Sequence, residues 1–317
     1  MLKETYMRFI VDLLKGIFIG AANIIPGVSG GTMAVSMGIY DKLMEAIGNL
    51  AGHFKKSFKT LLPIIIGMVI GILGFSLLVP HLLSNYPFQT CMCFAGLVIG
   101  GIPELVGKTA AALKKEKRSN IGPFHVIFFI IFVALSIFMA LSNPSGADLH
   151  DLTMNFKNFC LLFGIGAVAA AAMVVPGISG SLILMMLGYY ESILEAIGNL
   201  ISGLKSFNWT LIGQNMLILL PFALGCIVGI ILIAKLITLL LKKFASVSYC
   251  AIIGLVITSP FAIFFKMDKP AFTPLVIIIG IVLFIAGLFF TYVLSVKTKG
   301  KAETENTSSD APKKRKR

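Results

Sequence analysis

The chain consists of long apolar runs separated by short polar segments, and the lengths of these runs predict its elements. Six runs are long enough to cross about 30 Å of hydrocarbon as α-helices. They lie near residues 61–80, 89–107, 122–142, 214–241, 248–265 and 271–296. The strict alternation of apolar and polar residues that marks a membrane β-strand is found nowhere along the chain. The pattern therefore predicts an all-α polytopic membrane protein.

Two further apolar regions, near 9–48 and 158–199, are interrupted at their centres. The first cluster, "IIPGVSGGT" at 24–32, and the second cluster, "VVPGISGSL" at 174–182, each place helix-breaking proline and glycine inside apolar sequence. Each cluster leaves two arms that we expect to be shorter than a standard span. The regions are therefore predicted to form re-entrant helical hairpins.

These two regions belong to an internal repeat. Aligning 20–50 with 170–200 gives 14 identities in 31 positions, including "EAIGNL" at the end of both segments. The similarity resumes further on, where "LLP" and "GLVI" recur 158 positions later. One hairpin followed by three spans is thus predicted twice, in a first repeat over 1–142 and a second over 143–297.

The distribution of charge predicts how the repeats are oriented. Three spans per repeat is an odd number, so hairpins that enter and leave on one face require the second repeat to be inverted. With a cytoplasmic N-terminus, the inside holds Lys3, Arg8, Lys15, Lys55, Lys56, Lys59, the 108–118 cluster, Lys242, Lys243 and the C-terminal tail. The outside loops hold only Lys157, Lys205, Lys266 and Lys269. This bias predicts inverted repeats with both termini cytoplasmic, whereas hairpins that span fully would give parallel repeats and a weaker bias.

Composition agrees with a membrane protein and argues against a nucleic-acid-binding protein or a metalloprotein. The chain is 57% hydrophobic and carries a formal net charge of +13, part of it in the segment 298–317. That segment is predicted to be a disordered, basic cytoplasmic tail that lies near anionic lipid, and nucleic acid is not an expected partner behind so many spans. The five cysteines and four histidines lack metal-ligand spacing. Neither a metal nor a cofactor is expected.

Inverted repeats with broken helices point to a transport site near the bilayer midplane. Glycines let backbone amides approach a ligand, helix starts offer unpaired N–H groups, and hydroxyls add donors, which together suit a phosphate. The candidate residues are Asn23, Gly27, Ser29, Gly30, Gly31, Thr32, Gly177, Ser179, Gly180 and Ser181. Asn23 has no counterpart in the second cluster, where Met173 aligns. The competing interpretation is that the clusters only kink helices.

Acidic residues recur at matched places after each cluster. Asp41 aligns with Glu191, and Glu45 aligns with Glu195. Each pair is one helical turn apart, so we interpret them as gate residues or proton carriers, with interfacial solvation as the competing account. Lys235 lies within a predicted span and is expected to snorkel towards the cytoplasmic side, the alternative being that it steers a lipid phosphate.

The sequence resembles the polyprenyl-phosphate translocase family, PopT type. The resemblance rests on "GAANIIPGVSGGTMAVSMGIYDKLMEAIGNL" at 20–50 and "PGISGSLILMMLGYYESILEAIGNL" at 176–200, and it covers nearly the whole chain up to about residue 297. It implies a carrier in the cytoplasmic membrane that moves undecaprenyl phosphate, or a similar lipid, from the outer to the inner leaflet. The lipid then serves again in cell-wall synthesis. A homodimer is left open.

Two other functions compete with this one. Undecaprenyl-diphosphate phosphatases have a signature similar to Pro-Gly-x-Ser followed by Arg, but here Gly30 and Gly180 stand at the place of that Arg. Without the guanidinium clamp for a transferring phosphoryl group, no enzyme is expected. A carrier or channel for a small inorganic anion also fits helix ends rich in Ser and Gly. A lateral opening to lipid would distinguish a lipid carrier from an inorganic anion carrier. A purely structural scaffold is a third possibility, but it would not explain the duplication.

Overall fold

The computed structural model describes residues 2–25, 28–142, 152, 155–265, 267 and 272–309, and every regular element among them is a helix. The first seven helices are α1 (Leu2–Ala22), α2 (Gly30–Ser36), α3 (Tyr40–Gly48), α4 (Phe54–Phe75), α5 (Leu78–Asn85), α6 (Pro87–Ile99) and α7 (Ile102–Lys115). The other seven are α8 (Pro123–Leu141), α9 (Phe156–Val174), α10 (Gly180–Met186), α11 (Tyr190–Ser206), α12 (Trp209–Lys243), α13 (Ala245–Phe265) and α14 (Pro274–Ser309).

Seven segments of the described chain are long and apolar enough to cross a membrane. They are Phe54–Phe75, Pro87–Lys115, Pro123–Leu141, Phe156–Val174, Trp209–Lys243, Ala245–Phe265 and Pro274–Ser295. Six of them contain most of the six predicted runs, so the prediction of a multi-pass helical membrane protein is confirmed. The segment predicted over 89–107 is two helices, since α6 ends where Gly100 and Gly101 interrupt the run.

The expectation that the hairpin arms are shorter than a span is wrong for the arm before the second cluster, and the helix before the first cluster is longer than predicted. Helix α9 has 19 residues and is itself one of the seven segments, and α1 has 21 residues. At 1.5 Å per residue, these helices are about 28 and 31 Å long, close to the hydrocarbon thickness. Helix α1 is not one of these seven segments, because the part that extends it beyond the predicted arm, residues 2–8, includes Lys3, Glu4 and Arg8.

The arm after each cluster is broken, as predicted, but into two helices. A seven-residue helix, α2 or α10, ends at a glycine with a left-handed backbone, Gly38 (φ +68°) or Gly188 (φ +80°). Only glycine adopts this conformation without cost. The amphipathic helix α3 or α11 follows, and α10 and α11 meet at an angle of 112°.

The long helix before each cluster packs parallel to the first long helix after the hairpin, α1 with α4 and α9 with α12. A side chain at Gly67 or Gly71 of α4 would overlap the backbone of Leu13 or Ile17 in α1, so both helices advance together. The same contacts recur between α12 and α9, where Gly225 faces Phe163 and Gly229 faces Ala167. Because α4 runs in the direction of α1, the chain returns through α2 and α3 to the side where α1 begins.

The other spans pack across the two halves of the chain. Helix α6 lies parallel to α14, since Gly96 meets Phe284 and Gly100 meets Leu288. Helix α8 lies parallel to α13, since Gly254 meets Phe129 near the middle of the pair. His125 bonds to Ser246 before this contact, and Ser136 bonds to Thr258 after it. The largest buried core surrounds α2, which contacts α6, α7 and α9.

The C-terminal helix extends past the predicted span. Helix α14 continues to Ser309, so the first part of the segment expected to be a disordered tail is helical. A helix that the apolar span has already nucleated can propagate at little cost. Residues 310–317 lie outside the described residues.

Candidate functional site

The first cluster forms the turn between α1 and α2 and is closed by its own side chains. Ser29 is the N-cap of α2, and its Oγ accepts the backbone N–H of Thr32 at 3.1 Å. Asn23 Oδ1 accepts the N–H of Gly30 at 3.0 Å. Two of the N–H groups that a helix start leaves unpaired are thus satisfied within the cluster. Gly27, a predicted site residue, lies outside the described residues.

The two clusters meet directly. The backbone N–H of Gly177, in the second cluster, donates to Thr32 Oγ1 at 2.7 Å and to Ser29 Oγ at 3.1 Å. The two hydroxyls are themselves 2.9 Å apart, and both residues are buried. The structure therefore brings together the parts of the predicted site that are almost 150 residues apart in sequence.

Glycine is required at three positions of the two clusters where a neighbouring backbone comes close. Gly177 has φ +76°, and a Cβ there would lie 2.9 Å from the carbonyl oxygen of Leu255. A Cβ at Gly31 would lie 2.8 Å from the carbonyl oxygen of Val174, and one at Gly180 would lie 2.7 Å from that of Ala169. Real Cβ atoms essentially never come so close to backbone atoms. Of these three contacts, only that of Gly31 with Val174 joins the two clusters, which form the tips of the hairpins, and there the tips meet as bare backbone.

The second cluster is more open than the first. Ser179 precedes α10 but makes no side-chain cap; its Oγ lies 2.8 Å from that of Ser181. Ser181 is exposed and Ser179 is half-buried. A cavity of about 20 Å³ lies between Ser179, Ser29 and Gly177, which is room for about one water molecule. The site thus has one closed tip and one more open tip, whose two hydroxyls bond only to each other among the hydrogen bonds of the described residues.

A group of ion pairs lies near the C-terminal end of α2, the end opposite the first tip. Lys108 of α7 binds Asp41 of α3 at 2.8 Å and Glu104, one turn earlier on its own helix, at 3.0 Å. The hydroxyl of Tyr249 in α13 donates to Asp41 at 2.9 Å. Asp41, predicted as a gate residue, therefore joins three helices from both halves of the chain.

The same group reaches α1 through two more pairs. Lys15 is completely buried and donates from Nζ to the carbonyl oxygen of Met37 at 2.6 Å, and Asp12 pairs with Lys42. Gly38 packs against the carboxylate of Glu104. Sequence reasoning missed these contacts. The available signal was a pair of charges three residues apart inside an apolar arm, whose counterparts in the second repeat are apolar.

The other predicted charged residues lie away from the tips. Glu45, Glu191 and Glu195 are exposed on the amphipathic helices α3 and α11. Lys235 is exposed on α12, where its backbone packs 3.3 Å from the Cβ position of Gly48. The structure therefore does not bring these four side chains into the site.

A wide apolar groove ends at the second tip. Its volume is about 660 Å³, and it lies between α8, α12 and α13. Val175, Pro176 and Tyr40 line its inner end, and Phe244 and Arg118 line its outer end. The groove connects the meeting point of the clusters to the end of the helices where α8 and α13 begin.

A serine, a histidine and a glutamate meet near this outer end, but their order is unsuited to hydrolysis. His125 Nδ1 accepts the N–H of Gly122 at 3.1 Å, so its Nε2 carries the proton and donates to Ser246 Oγ at 2.8 Å. Ser246 Oγ in turn donates to Glu116 at 2.6 Å. The hydroxyl is a donor to the acid rather than to a base, so it is not activated as a nucleophile.

This arrangement ties the end of α7 to the start of α13. Glu116 also accepts the backbone N–H of Ser246 at 3.1 Å. Burial is the largest influence and raises the pKa of the Glu116 carboxyl, but the two hydrogen bonds from Ser246 and the nearby charge of Arg118 act in the other direction, and the net result is a lowered pKa. Among the residues that the structure describes, no group of three or more His, Cys, Asp or Glu side chains could hold a metal ion.

Known proteins resemble this chain over most of its length. A family described as undecaprenyl phosphate translocase-like matches residues 19–273. A polyprenyl-phosphate transporter of Staphylococcus aureus is 32% identical over 258 residues, which cover 80% of this chain and 86% of that protein. A polyprenyl-phosphate transporter of Vibrio cholerae is 28% identical over 265 residues, covering 79% and 76%. No solved structure gives a significant match.

Proposed function

Because the chain belongs to the undecaprenyl phosphate translocase-like family, whose named relatives are transporters and not enzymes, we propose that it translocates undecaprenyl phosphate or a similar polyprenyl phosphate. The lipid moves from the outer to the inner leaflet of the cytoplasmic membrane and returns to cell-envelope synthesis. Both termini lie in the cytoplasm, as the bias of basic residues favours.

The phosphate binds where the two clusters meet. The observation that carries this proposal is the pair of bonds from the Gly177 N–H to the hydroxyls of Ser29 and Thr32. In this arrangement the tips satisfy each other's hydrogen bonds. A phosphate that enters replaces the cross-tip bonds and takes the same donors, together with the hydroxyls of Ser179 and Ser181, which otherwise bond to each other.

The repeats are inverted with respect to each other. By the repeat, α13 is the counterpart of the α6–α7 span and α14 is the counterpart of α8. The observed parallel pairs are instead α6 with α14 and α8 with α13. Since consecutive spans cross in opposite directions, counterparts run opposite ways, as an inverted pair requires. This supports one tip approaching from each face of the membrane and alternating access to a midplane site.

The groove favours a lipid over an inorganic anion. Free phosphate or chloride needs a polar path, whereas the approach to the second tip is lined almost completely by apolar side chains. A prenyl chain can stay in such a groove while only its head group meets the polar tips. Crossing about 30 Å of hydrocarbon is then reduced to passing the phosphate between donors at the midplane.

The charged residues of α3 and α11 serve gating or proton coupling. Asp41, held by Lys108 and Tyr249, joins helices from both halves and is suited to stabilise one conformation. Glu45, Glu191 and Glu195 remain candidates through their positions on the amphipathic helices. The carrier is either proton-coupled or passive. Leaflet exchange whose rate does not change when a pH gradient is imposed would contradict proton coupling.

The test uses purified protein in liposomes. We expect it to accelerate the exchange of labelled undecaprenyl phosphate between leaflets, compared with protein-free liposomes, and not to take up radioactive inorganic phosphate. Phosphate uptake without lipid exchange would contradict the proposal and favour an inorganic anion carrier. Release of phosphate from undecaprenyl diphosphate would contradict the assignment as a transporter.

A further inference from the structure

The groove between α8, α12 and α13 has the dimensions of one leaflet. From Phe244, which immediately precedes α13, to Leu255 within α13 it extends about 16 Å at a rise of 1.5 Å per residue. Half of the roughly 30 Å hydrocarbon core is about 15 Å. The groove is therefore as long as one leaflet is thick, and its inner end is lined by Val175 and Pro176 of the second cluster.

The walls of the groove suit an apolar chain. Phe124, Phe128 and Phe132 recur every four residues on one face of α8, opposite leucines and isoleucines of α12. Of the three polar residues that line it, two already have partners. The hydroxyl of Tyr40 donates to the carbonyl oxygen of Val174 at 3.3 Å, and that of Ser248 donates to the carbonyl oxygen of Phe244 at 2.8 Å. A peptide or a sugar would find few hydrogen-bonding groups here.

The third polar residue, Arg118, supplies a positive charge at the surface end. Its backbone is fixed, because Lys117 adopts a left-handed conformation (φ 56°) and the Arg118 N–H donates to the carbonyl oxygen of Leu113 at 2.9 Å. The side chain is exposed, and no carboxylate of the described residues lies within ion-pair distance of it. The neighbouring Glu116 is engaged by Ser246. Arg118 is therefore available to an anion from the membrane surface.

We propose that this groove is a second lipid site, distinct from the tips, that holds a polyprenyl monophosphate of the leaflet on the Arg118 side, with its chain along the phenylalanines of α8 and its phosphate at Arg118. The inference rests on the proposed function and adds a loading or release position to it. A guanidinium binds a phosphate through two parallel hydrogen bonds, which gives the head-group specificity that an apolar groove lacks. By the charge bias, this leaflet is the cytoplasmic one.

The chain offers a clean optical reporter for this site. Trp209 is its one tryptophan and lies exposed at the start of α12. A variant with Trp209→Phe and Phe128→Trp has a single emitting residue inside the groove. A second reporter with Leu240→Trp, on the opposite wall, guards against a bulky ring at 128 blocking the groove. Both are titrated in phosphatidylcholine nanodiscs.

Undecaprenyl monophosphate should shift the emission of both reporters saturably. Adding Arg118→Gln should raise the half-saturating concentration about tenfold, as expected for losing one charge-assisted hydrogen-bonded pair, and Arg118→Lys should have a smaller effect. Undecaprenol should bind more weakly and respond to neither change. Lys115→Gln, which removes an exposed charge of the same loop region, is the matched control and should change the titration less than twofold.

Three outcomes would overturn the inference. They are no saturable shift in either reporter, equal titration of Arg118→Gln and the parent protein, and equal binding of dioleoyl phosphatidic acid, which would make the groove a general phospholipid surface. Leaflet exchange is measured on the same preparations. Exchange that persists without groove binding overturns the groove site alone, whereas the absence of exchange overturns the proposed function.

Discussion

Replacing Gly31 by alanine tests whether the contact between the two tips is part of the transport cycle. The added Cβ would lie 2.8 Å from the carbonyl oxygen of Val174, about 0.6 Å short of the 3.4 Å at which ordinary contact begins. If the tips separate by that distance, the two bonds of the Gly177 N–H lengthen from 2.7 and 3.1 Å to about 3.3 and 3.7 Å. The longer bond is lost and the shorter one is weakened.

The same contacts give the free-energy change that this separation causes. Losing about one hydrogen bond in a buried site destabilises the closed tips by about 1–2 kcal/mol. Alanine in place of glycine inside α2 would by itself stabilise the helix by about 0.5–1 kcal/mol. Global stability should therefore change little, while the equilibrium constant for correct closure of the tips falls about tenfold. We expect the exchange rate of undecaprenyl phosphate in liposomes to fall by a similar factor.

A matched control separates the contact from the chemical change. Gly213→Ala makes the same substitution in α12, where nothing lies within 4 Å of the new Cβ, so exchange should match wild type and thermal stability should rise slightly. Wild-type exchange by the Gly31→Ala protein would refute the reasoning, because the tips could then work without their observed approach. Equal loss in both variants would refute it as well.

Three further predictions concern single side chains. Lys108→Met leaves the carboxylates of its ion-pair group unneutralised and should lower the unfolding free energy in detergent by about 2–3 kcal/mol, below the 3–5 kcal/mol of a fully buried pair. Thr32→Val removes the shorter cross-tip bond and should slow lipid exchange about tenfold, whereas Ser36→Ala, which loses a buried bond of similar kind on the same helix, should not. Glu116→Gln should lower the unfolding free energy by about 1 kcal/mol at neutral pH. Because the carboxyl pKa is lowered in the folded protein, the contact with Ser246 stabilises the fold above the pKa of the unfolded state. In thermal melts across pH, the difference from wild type should therefore vanish as the pH falls through the pKa of the folded state.

Local features of the sequence predicted the parts of the site that depend on local chemistry. Proline, glycine and serine break a helix wherever they cluster, so the position of each tip followed from the cluster itself, and Ser29 caps α2 as its residue type favours. The repeat further indicated that two such tips exist. Their direct contact, through Gly177, is the part that required the three-dimensional arrangement.

Features that join distant residues were not predictable from the pattern. The pair of Asp41 and Lys108 links positions 67 apart, and nothing in either segment identifies the other as its partner. The length of α1 was underestimated because its first residues, 2–8, are polar and carry no apolar pattern that would predict a helix. The apolar groove is likewise a product of packing, since its three walls come from helices whose outward faces all read as lipid-facing.

The most direct test of the central claim is leaflet exchange of labelled undecaprenyl phosphate by proteins with one tip blocked. Ser29→Leu and Ser179→Leu each place an apolar side chain at one tip, and Ser76→Leu does so at an exposed serine at the end of α4. If both tips hold the phosphate, each tip variant abolishes exchange and Ser76→Leu exchanges like wild type. Wild-type exchange by either tip variant, in folded protein, would contradict the claim that the paired clusters form the phosphate site.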